Sequence, residues 1–166
     1  FTPMADALLF LTLLNSRRAE VLIEPHIQVA SIIRQSGIET IPMGYILVDG
    51  DRQSAVERVS GCTPIAHQAV ADVVSHAVAG QLLGKQLIYI EAGSGAKTPV
   101  SIDIIRAVRQ AIDLPLIVGG GVTSEEQMLA AFSAGANIVV IGNHFEQHPE
   151  DLPRFLQAKH SYVHNN

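Results

Sequence analysis

Hydrophobic positions along this chain fall into two kinds of run, short continuous ones and longer ones with a helical period. Ala7 to Leu14 is apolar except for Thr12 and closes on Asn15-Ser16. That is the pattern of a strand buried on both faces in a parallel sheet, although periodicity alone also permits a helix. Pro25 to Gln35 carries Ile27, Ala30 and Ile33 at helical spacing and ends at Gly37, a residue that tolerates the positive φ of a helix terminus. Ile38 to Val48 reads as a second strand, with Pro42 and Gly44 implying an irregularity inside it, and Asp49-Gly50-Asp51 as the turn that follows. From Ala66 to Leu83 an apolar face of Val70, Val73, Val74, Ala77, Val78 and Leu82 predicts a helix, ended by Gly84.

The alternation then tightens. Gln86 to Ile90 is a short strand, Ser101 to Ile112 a helix with Ile104, Ile105, Val108 and Ile112 inward, and Pro115 to Val118 a strand. Thr123 with Glu126 three residues on has the form of a capping box, opening a helix that packs Met128, Leu129 and Phe132 and stops at Gly135. Asn137 to Ile141 is the fifth strand. Beyond Asn143 the pattern gives a loop, a short final helix and a frayed tail over Ser161 to Asn166.

Strand and helix alternating in this way predict a parallel α/β sheet with covering helices. Five strands suit a doubly wound open sheet, or the greater part of an eight-stranded (β/α)8 TIM barrel. The chain opens at Phe1 without a methionine and enters an apolar run within a few residues, which favours the barrel with sequence upstream. On that reading the chain is one domain holding strands 4 to 8, and three βα units precede it.

Composition narrows the partners. With 166 residues, 48% of them apolar, the chain can bury one sizeable core. A net charge of -5 with scattered Lys and Arg leaves no basic stripe for a nucleic-acid backbone. Cys62 stands alone, so no disulfide framework or thiolate metal site is expected and a reducing cytoplasmic setting follows. The uncharged stretch Gln127 to Phe145 is broken by Ser133, Gly135, Asn137, Gly142 and Asn143, and reads as helix, turn and strand rather than a membrane span. No basic segment followed by an apolar one suggests a signal peptide.

The candidate chemistry lies where three strands end in small residues: Tyr89-Ile90-Glu91-Ala92-Gly93-Ser94-Gly95, Val118-Gly119-Gly120-Gly121, and Ile141-Gly142-Asn143. Parallel α/β proteins place their sites at strand C-termini, and the last two βα loops of barrels commonly hold phosphate. Each cluster alone is also explained by a tight turn; three at corresponding places favour an anion site. Neither the Walker pattern nor the dinucleotide fingerprint is present. Tyr89 and Glu91, two apart on a strand, project from one face. A buried carboxylate beside a phosphate suits general-base work on a hydroxyl, because both burial and the anion raise its pKa. The plainer alternatives are a glutamate that caps the following loop and a tyrosine that packs in the core. Asp49 and Asp51 read as a turn, and His26, His67, His76, His144 and His148 as surface or packing residues.

These residues resemble the geranylgeranylglyceryl phosphate synthases and the related heptaprenylglyceryl phosphate synthases. The matching pieces are Ala5-Asp6-Ala7 leading to Asn15-Ser16, Ile41 to Tyr45, Leu83-Gly84, Tyr89 to Ala96 with Pro99-Val100, Ile117 to Gly121, Ala134 to Ala136 and Gly142-Asn143. The resemblance implies a TIM-barrel prenyltransferase joining sn-glycerol 1-phosphate to an allylic prenyl diphosphate through an ether bond, with Mg2+ present. It also implies a homo-oligomer with at most transient membrane contact. Tyr89 to Gly95, Gly120, Gly121, Gly142 and Asn143 would then hold the glycerol phosphate. Glu91 would take the hydroxyl proton, Tyr89 would face the allylic cation, and Asn15, Ser16 and Tyr45 would lie toward the prenyl groove. The family's magnesium ligands fall upstream of Phe1, so no metal residue is assigned in this chain. Two other readings stay open: a barrel isomerase or synthase acting on a sugar phosphate, and a truncated barrel that binds phosphate without turnover.

Overall fold

The computed structural model describes residues 4–165. Its centre is a parallel sheet of five strands in the order β1-β2-β3-β4-β5. They are β1 (Ala7–Leu13), β2 (Glu39–Leu47), β3 (Leu87–Glu91), β4 (Leu116–Gly119) and β5 (Ile138–Val140). Each strand pairs with the next in sequence. A doubly wound sheet reverses its order at a switch point, and this one does not. The consecutive order is that of a singly wound, barrel-type α/β fold.

Helices α1 (Ala19–Leu22) and α2 (Glu24–Ser36) follow β1, and α3 (Ala55–Ser60) and α4 (Val70–Leu82) follow β2. Next come α5 (Ile102–Ala111) after β3 and α6 (Glu125–Ala134) after β4. After β5, α7 (Asn143–Gln147), a 3-10 turn and α8 (Leu152–Asn165) complete the chain. The stretch expected to fray is therefore helical as far as residue 165, and residue 166 lies outside the described residues. Among the described residues no helix is long and apolar enough to cross a membrane.

Strand alternation sorts the core into two layers. Ile46, Val48, Ile88, Ile90, Leu116 and Val118 face the helices and meet Val73 and Ala77 of α4, Ile104, Ile105 and Val108 of α5, and Ala131 of α6. Helix α5 shows why such an element forms. Its N-cap Ser101 accepts a bond from Ile104 N, and its apolar residues fall on one stripe. Each fully buried Ile or Val there contributes roughly 1.5–3 kcal/mol. The opposite face of the sheet carries Leu13, Met43, Tyr45, Leu47, Leu87 and Ile117, with Tyr89 against them. Cys62 joins this layer as a buried free thiol, and burial pushes its pKa up.

Several expectations change. Leu9 and Leu11 of β1 are 44% and 38% exposed rather than buried on both faces, because β1 is an edge strand among the described residues. Pro42 and Gly44 cause no irregularity, as both sit in register with β1. Pro42 needs no ladder donor toward β3, whose pairing with β2 begins one residue later at Met43; its carbonyl accepts from Gln86 N at 2.8 Å. The cap of α6 is Ser124, whose hydroxyl accepts from Gln127 N, rather than Thr123. Helix α4 starts at Val70, not Ala66, since the preceding residues return to the sheet through a Val48–Ile65 bridge. Helix α3, with a capping box between Ser54 and Glu57, was not anticipated.

Candidate functional site

Tyr89 and Glu91 do project from one face of β3, the face turned from the helices, as their two-residue spacing requires. Glu91 is only 7% exposed. Its Oε2 accepts a short hydrogen bond from the Tyr89 hydroxyl, and its Oε1 accepts from Gly93 N at 2.8 Å. Both plainer alternatives are thus realised in part: the carboxylate caps its own loop, and the tyrosine hydroxyl is satisfied. Neither use exhausts the carboxylate. Each oxygen retains a lone pair able to receive a further donor.

Burial raises the Glu91 pKa above the ordinary carboxylate range, while the bonds from Tyr89 and Gly93 pull it partly back. Burial, reinforced by the Glu91 charge, also raises the pKa values of Tyr89 and Tyr45, so both phenols stay protonated. Tyr45 sits edge-on to Tyr89 with ring centroids 5.2 Å apart. The three side chains form one cluster in which Tyr89 donates to Glu91 and Tyr45 packs against the Tyr89 ring.

The β4 loop closes over this cluster because it has no side chains. A Cβ at Gly119 would lie 2.6 Å from Glu91 Oε2, and one at Gly120 would lie 2.6 Å from Glu91 Oε1 and 2.7 Å from Gly93 N. Gly120 and Gly121 also hold φ of 85° and 72°, in the left-handed region that glycine adopts without a Cβ penalty. The loop after β5 supplies the remaining wall, with Gly142-Asn143 opening α7.

Between these loops lies a cavity of about 120 Å3. Tyr89, Glu91, Ser94, Gly95, Gly120, Gly121, Gly142 and Asn143 all line it. Ile90 and Ala92 do not; their side chains belong to the helix-facing core. Gly93 contributes its N–H to Glu91 instead. A polar residue of the lining and a cation beside it escaped the sequence reading. His144 lines it while its Nε2 lies 2.8 Å from Asp151 Oδ2. Arg52, from the loop after β2, reaches the Gly95 carbonyl at 3.4 Å and brings a cation to the glycine loop. Neither lies within a recognisable motif.

Asn15 and Ser16 are placed elsewhere. Asn15 donates to the carbonyls of Leu47 (3.2 Å) and Thr63 (3.1 Å) and accepts from Leu47 N (3.0 Å). Its amide ties the end of β1 to the end of β2 and to the loop before α4. Ser16 accepts from Arg18 N. Asn15 borders a separate cavity of about 380 Å3 that Arg17 and Arg18 also line.

Glycine-lined strand ends around a buried carboxylate define the class: a parallel α/β protein with a small polar cavity at the C-terminal rim of its sheet. The family follows from comparison with known proteins. The model of the PcrB family matches residues 1–159, and the chain belongs to that family. It is 45% identical over 150 residues to a geranylgeranylglyceryl phosphate synthase of Spirosoma linguale, covering 90% of this chain and 60% of that protein. To the synthase of Zunongwangia profunda it is 48% identical over 145 residues, covering 87% and 62%. Among solved structures it is similar to the (S)-3-O-geranylgeranylglyceryl phosphate synthase of Thermoplasma acidophilum in complex with sn-glycerol-1-phosphate. There the TM-score is 0.81 at 36% identity, over 87% of this chain and 57% of that one. The chain therefore spans about 60% of the length of the curated relatives it matches.

Proposed function

We propose that this chain carries the acceptor half of a prenyltransferase site, one that joins sn-glycerol 1-phosphate to geranylgeranyl diphosphate or a related prenyl diphosphate in ether-lipid synthesis. The observation that carries the reading is the buried Tyr89–Glu91 pair enclosed by the Gly119-Gly120-Gly121 loop beside Gly142-Asn143. The glycerol phosphate would seat its phosphate on the amides of Gly120 and Gly121 and the Gly142-Asn143 turn, with Ser94, Gly95 and Arg52 closing the near side. Its hydroxyl would then point at Glu91.

In the reaction the hydroxyl oxygen forms a bond to the allylic carbon as diphosphate leaves, and Glu91 accepts the hydroxyl proton. Its raised pKa suits that task. Tyr89 holds the carboxylate in place and presents an aromatic ring to the developing allylic cation, and Tyr45 supports that ring. Magnesium, when bound, would neutralise the departing diphosphate. The resemblance places the residues suited to it upstream of Phe1.

In the whole protein β1 to β5 would be strands 4 to 8 of a barrel, with further βα units seated on the edges. Apolar residues exposed on both edge strands support it, Leu9 and Leu11 on β1 and Ile138 and Val140 on β5. A cytoplasmic setting fits the single buried thiol. Homo-oligomeric association and transient contact with membranes complete the picture. The test is direct: the whole protein, incubated with sn-glycerol 1-phosphate, Mg2+ and labelled geranylgeranyl diphosphate, yields a labelled ether. No ether with prenyl donors of any length would refute the proposal.

A further inference from the structure

Outside the Glu91 cavity, the fold brings together three metal-ligating side chains from two loops. Asp49 and Asp51 lie just beyond β2, and His67 lies in the segment leading to α4. One ligand atom from each falls within a common span of 4.8 Å. His67 Nε2 is 3.7 Å from Asp51 Oδ2. Zinc bonds nitrogen and carboxylate oxygen at about 2.0–2.2 Å, so two ligands of a tetrahedral site stand about 3.4 Å apart. The His67–Asp51 pair is close to that spacing, and the whole group lies within 4.8 Å, before any ion draws it in.

His67 supplies the second observation. Both of its ring nitrogens are buried without a hydrogen-bond partner among the described residues; the 17% of the side chain still exposed is carbon. Either neutral tautomer leaves a donor and an acceptor unsatisfied, a costly arrangement for buried ring nitrogens. The 3.7 Å approach to Asp51 is too long to be a hydrogen bond. A cation on Nε2 removes half of that deficit.

We propose that Asp49, Asp51 and His67 form a site for a divalent transition cation of the zinc class, with water completing its coordination. Imidazole nitrogen beside two carboxylates selects zinc-like ions over magnesium or calcium, which prefer all-oxygen sets. The site is distinct from the reaction centre: Asp51 and His67 line a cavity of about 570 Å3 bounded by Pro99, Ile105 and Val118, whereas Tyr89 and Glu91 line another. Its position gives it a task. The Gly50 carbonyl accepts from Lys97 N at 2.8 Å, and the Thr98 hydroxyl donates to the Asp51 carboxylate. A cation at Asp49 and Asp51 therefore pins the β2 loop against the end of the Gly93–Ala96 turn. The proposal rests on this geometry and not on the reaction proposed above.

The test uses the whole protein, stripped with chelator and titrated with Zn2+ in excess Mg2+ by calorimetry, with zinc quantified after gel filtration. The wild type retains one Zn2+ per chain at this site. His67→Ala and Asp51→Gly each weaken that binding by about tenfold or more. Asp51→Gly is the cleaner variant, because Asp51 holds φ 56°, which glycine adopts freely, so the carboxylate is lost while the backbone is kept. Absence of retained zinc in the wild type overturns the proposal, and so does zinc binding that survives either substitution.

Discussion

Replacing Glu91 by Gln changes the charge of the site with little change of shape, since the glutamine carbonyl can still accept from Gly93 N and its amide can face the Tyr89 oxygen. The cluster therefore stays assembled, and the loss isolates proton transfer. A positioned general base contributes roughly 100- to 10,000-fold to rate, or about 3–5 kcal/mol of transition-state stabilisation. Turnover is expected to fall by that factor, while affinity for sn-glycerol 1-phosphate moves only a few-fold, because in the proposed site the phosphate sits on backbone amides of other loops. Single-turnover ether formation gives the first quantity and calorimetric titration the second. Stability supplies an independent reading. Burial raises the folded-state pKa of Glu91, so the folded protein binds this proton more tightly than the unfolded chain. The stability so gained is full below the ordinary carboxylate pKa and is lost as pH rises through the raised one. Glu91→Gln consequently raises the unfolding temperature at neutral pH, and the gain shrinks on acidification. Equal losses of turnover and phosphate affinity would refute the general-base assignment, and a destabilised variant at neutral pH would refute the account of burial.

Three further substitutions separate the parts of the site. Tyr89→Phe removes a bond that lowers the Glu91 pKa, so the acid limb of the rate–pH profile shifts upward; an unchanged limb would mean that this bond does not tune the base. Gly119→Ala places a Cβ 2.6 Å from Glu91 Oε2, which should cost about 1–3 kcal/mol by overpacking and abolish most turnover, measured by urea unfolding and by the ether assay. Asn15→Ala leaves the Leu47 N–H and two carbonyls without their partner and should destabilise the fold by about 2 kcal/mol or more; a loss of prenyl affinity at full stability would instead support a direct role in the groove.

What the sequence disclosed follows the range of the interactions involved. The five strands, the parity of Tyr89 and Glu91 and the glycine-ended loops are local, and each is readable from a window of a few residues. Contacts that depend on chain segments far apart were not readable. The anchoring role of Asn15 was hidden because its three bonds run to residues 32 and 48 positions away. His67 read as surface or packing because its neighbours Asp49 and Asp51 reach it only once β2 has turned. Exposure on β1 was missed because an edge strand and a central one share the same apolar pattern. Helix α3 is too short, six residues, to show a period.

The central claim is that glycerol phosphate lies in the rim cavity with its hydroxyl against Glu91. A crystal structure of the whole protein with sn-glycerol 1-phosphate tests it most directly. The account predicts the phosphate on the amides of Gly120, Gly121 and Asn143, with the nucleophilic hydroxyl within hydrogen-bond distance of a Glu91 oxygen. A phosphate bound elsewhere, or a hydroxyl turned away from Glu91, would contradict it.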